Sequence, residues 1–389
     1  MLLFNGGIYL QSNIYFDNSA TTKPCDSTIT AVNNALSNVW GNPSSLHRLG
    51  IESECIINDT RRSVAELLSC KSEQIFFTGS GTEANNLAII GTANSMKRRG
   101  NKIITTTIEH PSVLNTCHFL ENEGFNVVYV KPHTDGLIRA EDILNNIDDQ
   151  TILVSVMLVN NETGCILPVS EIANNIHQQG LKPLIHTDCV QAFGKIPLDI
   201  EDLGVDLLSA SGHKIHGPKG IGILYKSPKV NLKPIIFGGN QEKGLRSGTE
   251  PVPLIAGLNG AISELNITEN FKHISDLYQY AISKLQNIDD VTINSPKNNY
   301  LPYIVNFSVI GYRSETLLHF LEEQNIFVSS GSACSKGKGS YVLNEVGFSK
   351  DRIDSALRIS FSRYNTKDEI NEFYLAIKNA QNNLRKKHK

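Results

Sequence analysis

No apolar run in the chain approaches the ~20 residues needed to cross a bilayer. The N-terminus, MLLFNGGIYLQSNIYFDNSATT, has no basic stretch followed by an unbroken apolar segment. Neither a membrane anchor nor a secretory leader is expected, and the chain is read as cytoplasmic. Cysteine is sparse: seven residues in 389, odd in number and scattered, without a CxxC pair or a His/Cys cluster of zinc-ligand spacing. That pattern argues for a reducing compartment, against a disulfide framework and against a structural metal. An excess of one charge is lacking too. With 36 Lys and Arg against 39 Asp and Glu the net charge is -3, which leaves no bulk attraction to nucleic acid. There is no internal repeat, low-complexity tract or obvious linker.

What is present is an ordinary globular composition, 40% hydrophobic and 19% charged, in a chain long enough for two domains. From Gln74 to about Tyr225, short β-branched or apolar runs alternate with helical patterns: QIFFT before EANNLAIIGTANSMKR, KIITTT before PSVLNTCHFLENEG, then NVVYV, TILVSVMLV, PLIHTD and DLLSAS. This texture predicts an α/β fold, a mostly parallel sheet wrapped by helices, with Thr151 to Val159 a strand covered on both faces. After about Leu265 the texture changes. A long helix places Ile274, Leu277, Tyr278, Ala281 and Leu285 at helical spacing; strands VTINS, PYIVNFSVI, IFVSS and ALRISFS follow. A closing helix puts Ile370, Phe373, Tyr374, Ile377 and Leu384 on one face, and a smaller α+β domain is expected. The implied boundaries are residues 15–265 for the large domain, and 1–14 with 266–389 for the small one.

Ligands of open α/β sheets sit beyond the carboxyl ends of the strands, so the polar residues that follow each run are the candidates. They are Gly79-Ser80-Gly81-Thr82, Glu109-His110, Asn160-Asn161, Asp188 with Gln191, and Ser211-Gly212-His213-Lys214. GSGTEA formally fits a dinucleotide-binding turn, but the acidic residue expected about 20 positions on, to hold a ribose, is replaced by Lys102-Ile103-Ile104-Thr105. A Gly-rich turn opening a helix suits a single phosphate equally well. Lys214 lies in the glycine-framed loop SASGHKIHGPKG, where a lysine of lowered pKa becomes a carbonyl nucleophile. A cofactor with an aldehyde and a phosphate fits, Ser211 and His213 serving the phosphate and Asp188 a pyridinium nitrogen: pyridoxal 5'-phosphate, PLP. Asp188 can also be read as a helix N-cap, and His110 suits a structural histidine as well as an imidazole stacked on a ring.

Cys334 stands in VSSGSACSKGKGSYVL, where a strand runs into a loop of Gly, Ser and Lys that is expected to move. Flanking Lys336 and Lys338 favour its thiolate, the nucleophilic form. The other six cysteines are read as small buried side chains or indifferent surface thiols. Arg358, in LRISFSR, is placed to grip a substrate carboxylate bidentately, or is simply a surface-strand arginine.

Taken together, FDNSATT, GNPSSLHRLG, TGSGTEANNLAI, TIEHPSV, VNNETG, HTDCVQAFGK, SGHKIHGPKGIG, RSGTEPV and SSGSACS closely resemble the cysteine desulfurases, from Ile14 to about Leu384. The branch resembled includes the housekeeping iron–sulfur and the nitrogenase-associated enzymes, within the class V aminotransferase group of fold-type I PLP enzymes. The resemblance implies a seven-stranded PLP domain with Lys214 as cofactor lysine, Asp188 at the pyridinium nitrogen, His110 as stacking ring and acid/base, and Gln191 at the ring oxygen. Asn161 would be a further contact, and Gly81, Thr82, Ser211 and His213 would hold the phosphate. Thr249 would arrive from a second subunit, making a homodimer obligatory. Arg358 would bind the carboxylate of L-cysteine, and Cys334 would take its sulfur as a persulfide, leaving alanine. The sulfur would pass to an acceptor protein, an iron–sulfur scaffold or a tRNA-thiolating sulfurtransferase. The loop after Cys334 is shorter and more basic than in the best-known housekeeping members, and RKKHK stands where they have an apolar tail; both leave the acceptor open. Selenocysteine lyase and cysteine sulfinate desulfinase share the fold and are the nearest alternatives.

Overall fold

Strands buried on both faces are nearly continuous apolar runs, and IFFT, TILVS and LLSAS are buried along their whole length. The computed structural model describes residues 13–331 and 339–386, so Cys334, Lys336 and Lys338 lie outside the described residues. After β1 (Ile14–Tyr15), one sheet collects β2 (Ile75–Thr78), β3 (Lys102–Thr106), β4 (Asn126–Val130), β5 (Thr151–Ser155), β6 (Leu184–Asp188), β7 (Leu207–Ser211) and β8 (Gly222–Lys226). Its seven strands take the order β2-β8-β7-β6-β5-β3-β4. Only β8 runs against its neighbours, antiparallel to both β2 and β7; the pairs from β7 to β4 are all parallel. The expected α/β architecture is therefore present. From β3 the chain steps outward to β4, and from β5 it steps the other way to β6 and β7. The connections part at that reversal, opening a crevice at the strands' carboxyl ends.

One strand is shorter than its sequence suggests. The run Thr151 to Val159 ends as a two-sided strand at Ser155. On the β6 side the ladder continues, with Val156 N–H donating to the His186 carbonyl and Leu158 N–H to that of Asp188, both at 3.0 Å. On the other side β3 has already ended, and the carboxylate of Glu109 takes the place of the missing strand, accepting from Met157 N–H at 3.0 Å.

Downstream come β9 (Val291–Ile293), β10 (Ile304–Val309), β11 (Ile326–Phe327) and β12 (Ala356–Ser360). β10 pairs antiparallel with both β9 and β12, while β11 pairs in parallel with the N-terminal β1. Helix Ile267–Leu285 buries the five residues that its periodicity selects. Helix Lys367–Asn383 starts at a Thr366/Glu369 capping box and buries Ile370, Phe373, Ala376, Ile377 and Ala380. No helix among the described residues is long and apolar enough to cross a membrane.

Phe16, just after β1, sits edge-on to Phe361 at 5.6 Å and to Phe373 at 5.8 Å, and Phe307 of β10 meets Phe373 at 6.1 Å. All four rings are at most 1% exposed. This cluster ties the N-terminal segment to the last helix. Phe373→Ala is expected to cost about 3–5 kcal/mol, read as a lowered midpoint in denaturant unfolding.

Candidate functional site

Helix Gly81–Met96 begins where β2 ends, with Ser80 as N-cap accepting from Glu83 N–H at 3.1 Å. Gly81 is required by crowding: a Cβ there would come within 2.7 Å of Val190 Cγ2. The free N–H groups of this first turn open onto a cavity of about 240 Å³ at the carboxyl ends of β2, β3, β5, β6 and β7. Gly81, Thr82, His110, Asn161, Asp188, Gln191, Ser211, His213, Lys214 and Arg358 all line it. Of the other sequence candidates, Thr249 is exposed and does not line the cavity, and Cys334 lies outside the described residues.

Lys214 closes the single 3-10 turn Gly212–Lys214 that follows β7. Its Nζ donates to the carbonyls of Ser19 at 2.6 Å and Ala20 at 2.7 Å. Asp188 ends β6 and is held from two sides: Oδ2 accepts from Asn85 Nδ2 at 2.7 Å and Oδ1 from Val190 N–H at 2.9 Å. Asn85 also donates to Ser112 Oγ at 2.8 Å, and Ser112 Oγ lies 2.8 Å from His110 Nδ1. His110 has a structural role and also faces the cavity. It N-caps helix Pro111–Asn122, Nδ1 accepting from Ser112 N–H at 3.1 Å, and its ring lines the cavity. With Nδ1 an acceptor, the neutral ring carries its proton on Nε2. Burial pulls the imidazole below its ordinary value; the Asp188 charge opposes this and the Lys214 charge adds to it. His213, pushed down to about 3 by burial and then by the charge of Lys214, is neutral as well.

Arg358 is 2% exposed, not a surface residue. Nη1 donates to the Asn161 carbonyl at 2.9 Å and Nη2 to Asp17 Oδ1 at 2.8 Å. Asp17 thus holds the guanidinium in place at the cavity wall. Just beyond residue 338, Ser340 Oγ donates to the buried carboxylate of Glu162 and Tyr341 OH donates to the Glu109 carbonyl at 2.5 Å. Both anchors neighbour a cavity residue, Asn161 and His110 respectively. Among the described cysteines, burial pushes Cys70, Cys117 and Cys165 up to about 12, which removes them as nucleophiles near neutral pH.

Sequence reasoning missed Asn85, Ser112 and Asp17. Asn85 carried a signal, a polar residue one turn into an apolar helix at the spacing that returns it to the Gly81 face. Asp17 carried none, because its partner Arg358 is far away in the chain, and the bond that links Ser112 to Asn85 likewise depends on the fold.

Buried polar atoms without a partner are rare in folded proteins, yet Ser19 Oγ, Asn85 Oδ1, Asn161 Oδ1 and Arg358 Nε all lack one, and all four residues line this cavity. Their concentration here, with a lysine, a strand-end aspartate and a helix N-terminus, fits a ligand that carries a phosphate and several further polar atoms. Behind Asp188, His186 bonds Ser155 of β5 at 2.8 Å and Ser209 of β7 at 3.0 Å, and burial pushes it down to about 3. Its unfolded form takes up a proton near the ordinary histidine value, so folding stability falls as pH drops below about 6.5. His186→Gln is expected to flatten that slope, removing up to roughly 2 kcal/mol of the loss between pH 7 and 5 in denaturant unfolding.

The model of the family described as aminotransferase class-V matches residues 14–373. A putative cysteine desulfurase IscS 1 of Bacillus subtilis is 41% identical over 92% of this chain and 95% of its own length. A cysteine desulfurase IscS of Clostridium botulinum is 40% identical over 93% and 92%. Among solved structures, a NifS-like protein from Rickettsia africae superposes with a TM-score of 0.85 at 32% identity, covering 95% of this chain and all (100%) of that one. SspA in complex with cysteine gives 0.81 at 34%, covering 91% and 100%. With a family model spanning nearly the whole chain and relatives aligned over nine-tenths of both partners, the chain belongs to the aminotransferase class-V family.

Proposed function

We propose that this protein is a PLP-dependent cysteine desulfurase that converts L-cysteine to L-alanine and keeps the sulfur as a persulfide on Cys334. The observation that carries the reading is one cavity lined by Lys214, Asp188, His110, the N-terminus of helix Gly81–Met96 and Arg358. Relatives at about 40% identity that bear the name cysteine desulfurase support the same reaction. Lys214 would hold the cofactor covalently, Asp188 would face its pyridine nitrogen, and Gly81, Thr82, Ser211 and His213 would take its phosphate. When bound, PLP supplies an electron sink that stabilises negative charge at the α-carbon of cysteine.

The chain's own groups do the rest. Asn85 and Val190 N–H keep the Asp188 carboxylate aimed along the strand end. Arg358, buttressed by Asp17, orients the substrate carboxylate, and Lys214 Nζ moves protons at the α-carbon. His110 holds a proton at Nε2 over the cavity. The thiolate of Cys334 attacks the substrate sulfur, an S–S bond forms, and the C–S bond breaks. The sulfur is oxidised, the carbon is reduced and takes up a proton, and cysteine plus thiol becomes alanine plus persulfide with no further reagent. Thr249, exposed and away from the cavity of its own chain, completes the phosphate site of a second subunit, which makes the enzyme a homodimer. The enzyme acts in the cytoplasm and hands sulfur to an iron–sulfur scaffold or a tRNA-thiolating sulfurtransferase.

The test compares wild type with Cys334→Ala, measuring sulfide and alanine made from cysteine plus reductant and recording the visible spectrum of each. Both proteins are expected to be yellow, with only wild type forming sulfide and alanine in equal amounts; the variant falls to the no-enzyme background. A colourless wild type would remove the PLP reading. A yellow variant with undiminished activity would remove Cys334 as the sulfur carrier.

A further inference from the structure

Lys195 is 6% exposed, yet its Nζ meets an amide: it donates to Gln191 Oε1 at 3.0 Å and lies 5.6 Å from the centre of the Tyr303 ring. Burial, then the like charges of Lys214 and Arg358, push it down to about 7. His216 and Arg363 share with it a small cavity on the far side of Lys214. A buried ammonium among like charges is costly, and sites that retain one are candidates for function.

The contacts of the side chain define its role. In its ammonium form Lys195 only donates, and the Gln191 atom it meets is the amide oxygen. Nε2 is thereby turned to the Ser19 carbonyl at 2.9 Å, the same oxygen that receives Lys214. The second N–H of Nε2 remains for the main cavity, which Gln191 lines. The Ser19 carbonyl, which takes the NH2 end, and the Lys195 ammonium, which takes the oxygen end, fix the amide together, so that without the lysine one of its two constraints is gone.

We propose that Lys195 is a positioning residue that acts through Gln191, turning the amide so that it offers bound PLP a hydrogen-bond donor at the anionic phenolic oxygen of the ring. This rests on the PLP reading above. Loss of a donor to that oxygen makes the bound cofactor more basic, so the pH midpoint of its visible band moves up.

The experiment is a visible-absorbance pH titration of the PLP-loaded wild type, Lys195→Met, Lys195→Arg, Gln191→Met and the Lys195→Met/Gln191→Met double variant. Lys195→Met is expected to raise the midpoint by about 0.5–1 unit, a roughly 3- to 10-fold gain in proton affinity. Lys195→Arg, which keeps a donor, returns it towards wild type, and the double variant matches Gln191→Met alone. An unshifted Lys195→Met overturns the proposal. So does a double variant whose shift is the sum of the two, since that is a charge acting through space. If Lys195→Met does not fold, Lys195→Gln replaces it in the same cycle, and its shift or lack of shift is read in the same way. A wild type without a visible band fails the PLP reading itself and the proposal with it; a normal wild-type band with an unshifted variant fails the proposal alone.

Discussion

The carbonyl oxygen of Ser19 accepts two hydrogen bonds, from Lys214 Nζ at 2.6 Å and from Gln191 Nε2 at 2.9 Å. The other side of the same residue is tied to the second sheet: Ser19 N–H donates to Ser360 Oγ at 2.8 Å, and Asn18 Nδ2 to the Ser360 carbonyl at 2.9 Å. Ser360 ends β12, the strand that carries Arg358. A short stretch of backbone after β1 thus locates the lysine of the large sheet against the arginine of the small one. The aromatic cluster around Phe16 keeps that stretch from shifting. Backbone is suited to this task because it has no rotamers to lose, and small displacements of reacting groups are expensive in rate.

Polar atoms are handled differently in the sheet and at its edge. Within the sheet, two buried polar side chains are well satisfied: Glu109 stands in for a strand that has ended, and His186 is bonded on both ring nitrogens. At the cavity the rule lapses for four residues together. An unsatisfied buried group costs free energy comparable to a lost hydrogen bond, so a cluster of them is stable in the working protein when a ligand provides the partners. The network His110–Ser112–Asn85–Asp188 adds rigidity, coupling the ring over the cavity to the carboxylate at its floor.

Much of this was legible in the chain. Apolar runs alternating with helical periods specified the parallel sheet, since strands covered on both faces admit little else. Nine of the nominated residues share one cavity because the strands they follow all end on one side of the large sheet, a geometric consequence that needs no alignment; Arg358 reaches it from β12 of the second sheet. The limits of legibility are equally specific. Thr151 to Val159 reads as one strand because a buried apolar run does not record where its neighbour stops. Arg358 reads as an open carboxylate grip because its clamp, Asp17, lies 341 positions away.

The sequence by itself determined which chemistries are available: a lysine in a glycine-framed turn, an aspartate at a strand end, a glycine-opened helix, a cysteine among lysines. Those follow from side-chain type and local spacing. Only the tertiary structure decided how they are aimed. The guanidinium of Arg358 is held by Asp17, the carboxylate of Asp188 by Asn85, and both Lys214 and Gln191 by the carbonyl of Ser19. Orientation depends on contacts between residues remote in sequence, and no local pattern records which carbonyl or ammonium the fold will bring alongside.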